Sequence, residues 1–566
     1  MNVAEALAKL LKAYGAEYVF TLTGAPQEPL VAMHNREGVK IVLGRSERSV
    51  LAMADAYARL TGKPSFGIVQ FGPGATYLPA SLIDAAWAKS PLIGISGATT
   101  TGTRYRYEYQ EADQTPILAP MTKWAGDLPA PARLPDVFRT AVRAAVSGCP
   151  GPAYLGIPAD MFLRPIEGNP AIYADAPFTR VAAIRPEPGS SDVDRAIAAL
   201  SGAARPVILA GGGVLISEAW DELTRLAEAL SIPVVTSMAG KGSIADTNPL
   251  SVGVSGRYSR KVANAVLAEC DVCLAVGTQL GSMTTDIFTV PPPTARIVHI
   301  DIDPGVLGRA YREEVSIAAD AKAALARLID AAASAKLAQR PPRWGNWTGK
   351  VQSMVADWRK DYRRLSGETM VEGKINPRHA IRLLDECLGE DDILVADTGY
   401  MAAWASTMVE RRIAGRTILR AAGSLGWAFP AAFGARLAVG PKRRVVCLTG
   451  DGGIGYHLAD METALRLDLP TITVVMNNSS LAFEYHVQKY VVGEMCPEAS
   501  EFRDTDYAAI ARAFGAHGER VADPAAFPAA IRRAEESGKP ALIDLVVSRE
   551  VPPPVSRYEK AGVREL

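Results

Sequence analysis

The chain has 566 residues, 48% hydrophobic and 22% charged, and its 61 basic and 61 acidic residues balance to a formal net charge of zero. That length supplies several buried cores and sets an expectation of three or four domains. The charge balance leaves no basic surplus to neutralise a nucleic-acid backbone, which argues against that partner class. No run of about 18 apolar residues appears, so no membrane partner is expected and a soluble, cytoplasmic protein is.

At the N-terminus, Val3, Leu7, Leu10, Leu11 and Tyr14 recur at helical spacing between Glu5, Lys9 and Lys12, which predicts an amphipathic surface helix rather than a signal peptide. From there to about residue 165, apolar runs at Tyr18–Leu22, Ile41–Leu43, Phe66–Val69 and Pro91–Ile95 alternate with helical patterns. Such alternation predicts a parallel sheet with crossover helices. Arg45-Ser46-Glu47-Arg48 hands the second run over to a helix, so Glu47 falls in a helix first turn, where a carboxylate is favoured by the macrodipole. Gly72-Pro73-Gly74 follows the strand ending near Gln70, and Tyr109-Gln110-Glu111 reads as a polar loop.

A Pro-, Ala- and Gly-rich linker predicted over 164–192 leads to a second α/β region, 190–335. There Pro206–Ala210 runs into Gly211-Gly212-Gly213 without full dinucleotide spacing, and Asp301 ends another strand, placed either to hold a ribose or to cap a turn. Cys270 and Cys273 open an apolar run with no second cysteine pair, which reads as core thiols rather than a zinc site. The segment 335–373, with Trp344, Trp347 and Trp358 among basic residues, reads as a second linker packing across domains. A third α/β region spans 374–548, followed by a tail, 549–566. The predicted fold is therefore α/β: three doubly wound parallel-sheet domains.

The third region holds the most informative stretch. Val445–Leu448 reads as a buried strand running into Thr449-Gly450-Asp451-Gly452-Gly453, then a helix predicted over 457–467, then a strand, Thr471–Met476, ending at Asn477-Asn478. A β-α-β unit brings Asp451 and Asn478 to the carboxyl ends of neighbouring parallel strands. One anionic and one neutral oxygen suit an octahedral Mg²⁺ that also takes phosphate oxygens. Gly452 and Gly453 let backbone amides approach those phosphates.

Gly450-Asp451-Gly452 with Asn477-Asn478 at this spacing resembles the cofactor motif of thiamine-diphosphate enzymes, in the acetolactate synthase, benzaldehyde lyase and 2-hydroxyacyl-CoA lyase superfamily. The resemblance runs along nearly the whole chain. It implies a pyrimidine-binding first domain, a central domain and a diphosphate-binding third domain. Thiamine diphosphate is then held through Mg²⁺ by Asp451, Asn478 and the carbonyl of Ser480, with Leu481 alongside. Glu47 takes the place of the family's essential glutamate, which drives the aminopyrimidine to its imino form. Gly24-Ala25 and Gly72-Pro73-Gly74 resemble the pyrimidine-side loops, with Phe71 a substrate candidate. Thr398-Gly399-Tyr400 resembles the loop at the diphosphate and thiazolium, and Gly423-Ser424-Leu425-Gly426 the segment whose bulky side chain, here Leu425, wedges between the two rings.

Gln70 stands where some decarboxylating relatives carry a histidine, which argues against a histidine proton relay. Pro26 stands where benzaldehyde lyase has one, which argues against benzaldehyde cleavage. Tyr109-Gln110-Glu111 resembles the segment pointing at the thiazolium, so Gln110 is a candidate catalytic residue beside Glu47 and Gln70. Phe483, Glu484 and His486, with Ala25 and Tyr109, are candidate substrate residues; the tryptophan that acetolactate synthases place near Val487 is missing. Thr278-Gln279 follows the Val276-Gly277 strand end where nucleotide-binding relatives have an arginine, which argues against FAD or ADP in the central domain.

The expected activity is C–C bond cleavage or ligation on a small 2-keto acid, acyloin or 2-hydroxycarbonyl compound through an enamine. The alternatives are a 2-hydroxyacyl-CoA lyase, an oxalyl-CoA decarboxylase, or an inactive scaffold of the same fold. Because relatives build the site from two subunits, a homodimer of active sites, and beyond it a homotetramer, is expected. The tail is expected to close over the site.

Overall fold

The apolar runs expected as strands form three separate six-stranded sheets in the computed structural model, which describes residues 1–24, 26–337 and 343–563. The first contains β1 (Tyr18–Leu22), β2 (Lys40–Leu43), β3 (Ser65–Val69), β4 (Leu92–Ala98), β5 (Trp124–Asp127) and β6 (Ala153–Pro158). The central sheet contains β7 (Pro206–Ala210), β8 (Val234–Thr236), β9 (Ser251–Val254), β10 (Val272–Val276), β11 (Arg296–Asp301) and β12 (Val315–Ala318). After a short antiparallel hairpin, β13 (Met370–Val371) and β14 (Lys374–Ile375), the third contains β15 (Ile393–Ala396), β16 (Ile418–Arg420), β17 (Val445–Gly450), β18 (Ile472–Asn477), β19 (His517–Val521) and β20 (Ala541–Val546).

Every pairing in the three large sheets is parallel. Helices cover both faces, so the inner strands β3, β4, β7, β10 and β15 are buried along their whole length, which is why they read as continuous apolar runs. The first sheet has the order β2-β1-β3-β4-β6-β5 and the third β16-β15-β17-β18-β20-β19, which is the same order with the strands renamed. The central order, β9-β8-β7-β10-β11-β12, is that of dinucleotide-binding folds.

Two expectations are revised. The segment expected as a second linker, 335–373, is dominated by a 21-residue helix, Gly345–Leu365, preceded by Trp344. Trp344, Trp347, Val351, Val355 and Trp358 recur at three and four residues and all are buried. Trp344 Nε1 donates to the Ala203 carbonyl and Trp347 Nε1 to that of Pro206, both at 3.0 Å, while Arg359 pairs with Glu410 of the third domain at 3.2 Å. The helix expected over 457–467 is broken into a 3-10 turn, Leu458–Asp460, and a helix, Met461–Arg466. The cause is tertiary: the Asp460 carboxylate is drawn to the Arg45 backbone N–H of the first domain at 2.9 Å.

Cys273 is buried within β10 and Cys270 just before it. Among the described residues no helix is long and apolar enough to cross a membrane.

Candidate active site

Two groups of predicted residues form, one on each outer sheet. In the first domain, Ser46 caps the helix Glu47–Thr61 by accepting the Ser49 N–H at 3.0 Å, which fixes half-buried Glu47 as its first residue. Beside it, Gln70 Nε2 donates to Gln110 Oε1 at 2.8 Å. Gly74 turns its backbone into this group: a Cβ there would come within 2.7 Å of Gln70 Cβ and 3.1 Å of Glu47 Oε1. Gly24 abuts the Gln70 amide in the same way. Glu47, Gln70, Gln110, Gly24 and Gly74 thus converge from the ends of β1, β2, β3 and the loop beyond β4. Phe71 is half-buried next to them, Tyr109 is 77% exposed, and Ala25 lies outside the described residues.

In the third domain a cavity of about 300 Å³ is lined by Thr398, Gly399, Tyr400, Leu425, Gly450–Gly453, Asn478, Ser480, Leu481, Phe483 and Glu484. Asp451 opens the short helix Asp451–Ile454 after β17; its carboxylate accepts the N–H groups of Gly452 at 2.9 Å and Ser480 at 3.1 Å. Burial pushes this carboxyl up to about 6, against those hydrogen bonds. Asn478 Oδ1 is buried and has no hydrogen-bond partner among the described residues. An orphan amide oxygen beside a buried carboxylate is costly unless a cation completes both. The donor set, one carboxylate with neutral oxygens, fits a hard divalent ion whose remaining ligands come from phosphate and water. Among the described residues no cluster of three or more His, Cys, Asp or Glu side chains offers a competing metal site.

Sequence reasoning missed several residues here. Asp397, fully buried at the end of β15, accepts from Thr449 Oγ1 at 2.8 Å and the Gly426 N–H at 3.0 Å, and burial pushes it up to about 6. A Cβ at Gly453 would lie 2.5 Å from its Oδ2. Tyr258 of the central domain, Ser548 at the end of the third domain, and Arg549 and Val551 of the tail also line the cavity. Two predicted residues sit apart from the cavity wall. Gly423 has its N–H bonded to Asp84 of the first domain at 2.7 Å. His486 is fully buried behind the cavity wall, stacked against Tyr400 and Tyr490, with Nδ1 2.7 Å from the hydroxyl of Tyr400, which lines the cavity in its place. The tail locks this aromatic cluster: Tyr558 Oη accepts from Tyr400 Oη at 2.9 Å, and Ser556 N–H donates to Arg257 in the central domain at 2.9 Å.

The central domain has a larger cavity, about 510 Å³, at the β7/β10 switch point, lined by Gly212, Gly213, Thr278, Asp301, Lys89 and Arg420 among others. Asp301 caps a turn there, accepting the Asp303 N–H at 2.9 Å.

Doubly wound sheets with a buried carboxylate beside an orphan amide oxygen on one outer domain and a lone acid on the other suit a coenzyme enzyme. Family comparison agrees along the chain. Residues 1–117 match the thiamine pyrophosphate enzyme N-terminal TPP binding domain, 193–328 the central domain and 397–545 the C-terminal TPP binding domain. The chain belongs to the thiamine pyrophosphate enzymes. It is 30% identical to a probable acetolactate synthase large subunit of Methanocaldococcus jannaschii, over 97% of this chain and 92% of that protein. It is equally 30% identical to the acetolactate synthase large subunit of Parasynechococcus marenigrum (99% and 91% covered) and to the sulfoacetaldehyde acetyltransferase of Castellaniella defragrans (98% and 95%).

Proposed function

We propose that this chain is a Mg²⁺- and thiamine-diphosphate-dependent carboligase or lyase of the acetolactate synthase kind, acting on a small 2-keto acid or acyloin. The observation that carries the reading is the buried Asp451 carboxylate beside the orphan Asn478 Oδ1 at adjacent strand ends. Asp451, Asn478 and the Ser480 carbonyl would hold the cation; the amides of Gly450–Gly453 and the loop Thr398–Tyr400 would hold the diphosphate. Leu425, on the cavity wall, would orient the bound coenzyme, an effect worth several kcal/mol in favourable cases. Bound there, the coenzyme supplies a nucleophilic carbon and an electron sink for the C–C bond.

The chain's own side chains do the rest. Glu47 holds and returns a proton at the pyrimidine nitrogen. The Gln70–Gln110 pair is fixed by its mutual hydrogen bond, which orients the Gln110 amide toward a substrate carbonyl or hydroxyl. Phe483 and Glu484, on the cavity wall, select the substrate. The names of two relatives, an acetolactate synthase large subunit and a sulfoacetaldehyde acetyltransferase, support acyl-transfer chemistry on a small carbonyl compound.

The working unit in this reading is a homodimer of active sites, with a tetramer as the larger form, in the cytoplasm. None of Gly24, Glu47, Gln70, Gly74 and Gln110 lines the third-domain cavity of its own chain, which supports acid and cation site being joined across two chains. Co-expressing Glu47→Gln and Asp451→Ala chains tests it: each variant alone is inactive, and random pairing restores about a quarter of the activity. Mixtures as dead as the parents would overturn the shared site.

Substrate class is tested by incubating the Mg²⁺-loaded holoenzyme with 2-keto acids, acyloins and acyl-CoA thioesters and identifying products by mass spectrometry. Consumption of a 2-keto acid with formation of a longer hydroxyketone or hydroxyketo acid is expected. Turnover of acyl-CoA but no 2-keto acid would replace this reading with a 2-hydroxyacyl-CoA lyase or oxalyl-CoA decarboxylase.

A further inference from the structure

The segment Arg420–Trp427 carries Leu425 and belongs to the third domain, yet most of its backbone is held from the first. Asp84, on the helix Leu78–Ala88 and 2% exposed, accepts three successive backbone N–H groups: Ala422 at 3.0 Å, Gly423 at 2.7 Å and Ser424 at 2.8 Å. Ser424 Oγ donates to the Ala80 carbonyl of the same helix at 2.9 Å. Arg59, on the helix Glu47–Thr61, donates to the Arg420 carbonyl at 2.7 Å and lies over the Trp427 ring, 4.6 Å from its centre. It also pairs with Asp55, which accepts the Trp427 Nε1–H at 3.0 Å. Arg48 reaches the Leu425 carbonyl at 3.3 Å. From its own domain the segment receives the Asp397 bond to Gly426.

Three consecutive N–H groups pointing at one spot form a concave anion site, and here the anion is a side chain of another domain. An uncharged residue at position 84 would leave N–H groups short of acceptors in a place water scarcely reaches. The Asp84 charge is balanced by Arg59, 3.6 Å away, and not by any group of the third domain's cavity. Leu425 follows directly on the three clamped residues, so its place along the cavity wall is set by this carboxylate.

We propose that Asp84 is a positioning residue: from the first domain it sets the loop on which Leu425 stands, and so the bent shape of the coenzyme in the same chain's third-domain site. The proposal rests on the thiamine-diphosphate reading above. Each first domain then has two duties. Glu47 completes the site shared with the partner chain, and Asp84 shapes the wedge of its own chain's site. Both lie on helices packed against the same segment.

Asp84→Asn tests it, because the amide keeps the size of the side chain but turns a donor toward the clamped N–H groups. In the full chain without coenzyme, amide hydrogen exchange at Ala422, Gly423 and Ser424 should speed up about tenfold or more, the loss expected for a charged hydrogen bond. With coenzyme and Mg²⁺, affinity should stay within about threefold of wild type while exchange of the coenzyme C2 proton slows about tenfold or more. A variant that melts earlier but keeps wild-type C2 exchange assigns Asp84 to stability alone and overturns the proposal; unchanged amide protection overturns it as well. Should Asp84→Asn not fold, Ser424→Ala carries the test by removing only the hydroxyl bond to Ala80. The same amides should then exchange about threefold faster or more, and unchanged protection overturns the proposal. Failure of the wild-type protein to bind thiamine diphosphate would sink the site reading instead, a result the coenzyme-free exchange does not depend on.

Discussion

The first and third domains are one architecture used twice, with the chemistry placed on different strand ends. Both sheets run in the same order, so β1 matches β15, β2 matches β16, β3 matches β17 and β4 matches β18. After β2 comes Glu47; after its counterpart β16 comes Leu425. After β3 comes the neutral Gly72-Pro73-Gly74 turn; after β17 comes Asp451 with its glycines. Each domain thus offers the same four loops, but one presents a half-buried acid with two amides and the other a buried carboxylate with an orphan oxygen. The difference teaches that the fold fixes where ligands approach, while single residues at strand ends decide whether a loop holds a proton or a cation.

That division predicts opposite failures. Glu47→Gln should slow C2 proton exchange about a thousandfold, the middle of the range for losing one acid–base group, with Mg²⁺ and coenzyme still bound. Isothermal titration and proton-exchange NMR on the same sample separate the two, and a Glu47→Gln protein exchanging at the wild-type rate would place the acid elsewhere. Asp451→Ala should do the reverse, weakening Mg²⁺-dependent coenzyme binding by about a hundredfold while the first domain's Glu47 stays in place. Binding that survives this change would mean that the Asn478 oxygen is satisfied by something other than a cation.

The two domains were not equally legible in sequence. The cation cradle is local, one β-α-β unit with its residues within a short span, so Asp451, Asn478 and the glycines declare themselves. Glu47 alone looks like any first-turn carboxylate and gains meaning only from a resemblance. Asp397 and Asp84 gave no signal at all: one reads as the last residue of a strand, the other as a polar residue in an alanine-rich helix. Their roles come from contacts across about 30 and about 340 positions of chain. His486 shows the limit of a short helix pattern: it shares a face with Phe483, three residues before it, yet it packs behind Tyr400 and is buried while Phe483 and Glu484 reach the cavity. The helix Gly345–Leu365 was readable from its tryptophan spacing, and its basic residues disguised it as a linker.

The histidines sharpen the comparison through pH. The first domain's one histidine, His34, lies exposed, whereas the third domain buries His457 and His486, both pushed down to about 4 mainly by burial. For His486, Lys489 adds to the depression and Glu550 opposes it. A depressed folded value means that the neutral ring's stability is fully present above the ordinary value of 6.5 and is lost as pH falls through about 4. Each buried histidine therefore costs the third domain up to about 3 kcal/mol as pH falls toward 4, while the raised Asp397 and Asp451 carboxyls oppose that loss by taking up protons over the same range. Hydrogen exchange between pH 7 and 4 reads this by domain. His486→Gln should make the third domain less labile in acid than wild type and leave the acid dependence of the first domain unchanged; an unaltered third-domain dependence would remove the histidine's part in it.

The smallest expected effect probes the seam where the two copies meet within one chain. The helix Glu47–Thr61 packs on its counterpart Ala428–Val439, and the crossing is closest at Gly434, where a Cβ would be driven into the Met53 carbonyl oxygen. Backbone on both sides cannot yield as a flexible side chain would. Gly434→Ala should cost about 1–3 kcal/mol in urea unfolding despite the higher helix propensity of alanine. Gly349, exposed on the helix Gly345–Leu365 with open space around it, is the control: Gly349→Ala should stabilise by up to about 1 kcal/mol. If both substitutions moved the midpoint the same way, close helix contact would not be what joins the two domains. The coupling would then fall to the Asp84 and Arg59 bonds, which grip the third domain from the side rather than along the helix crossing.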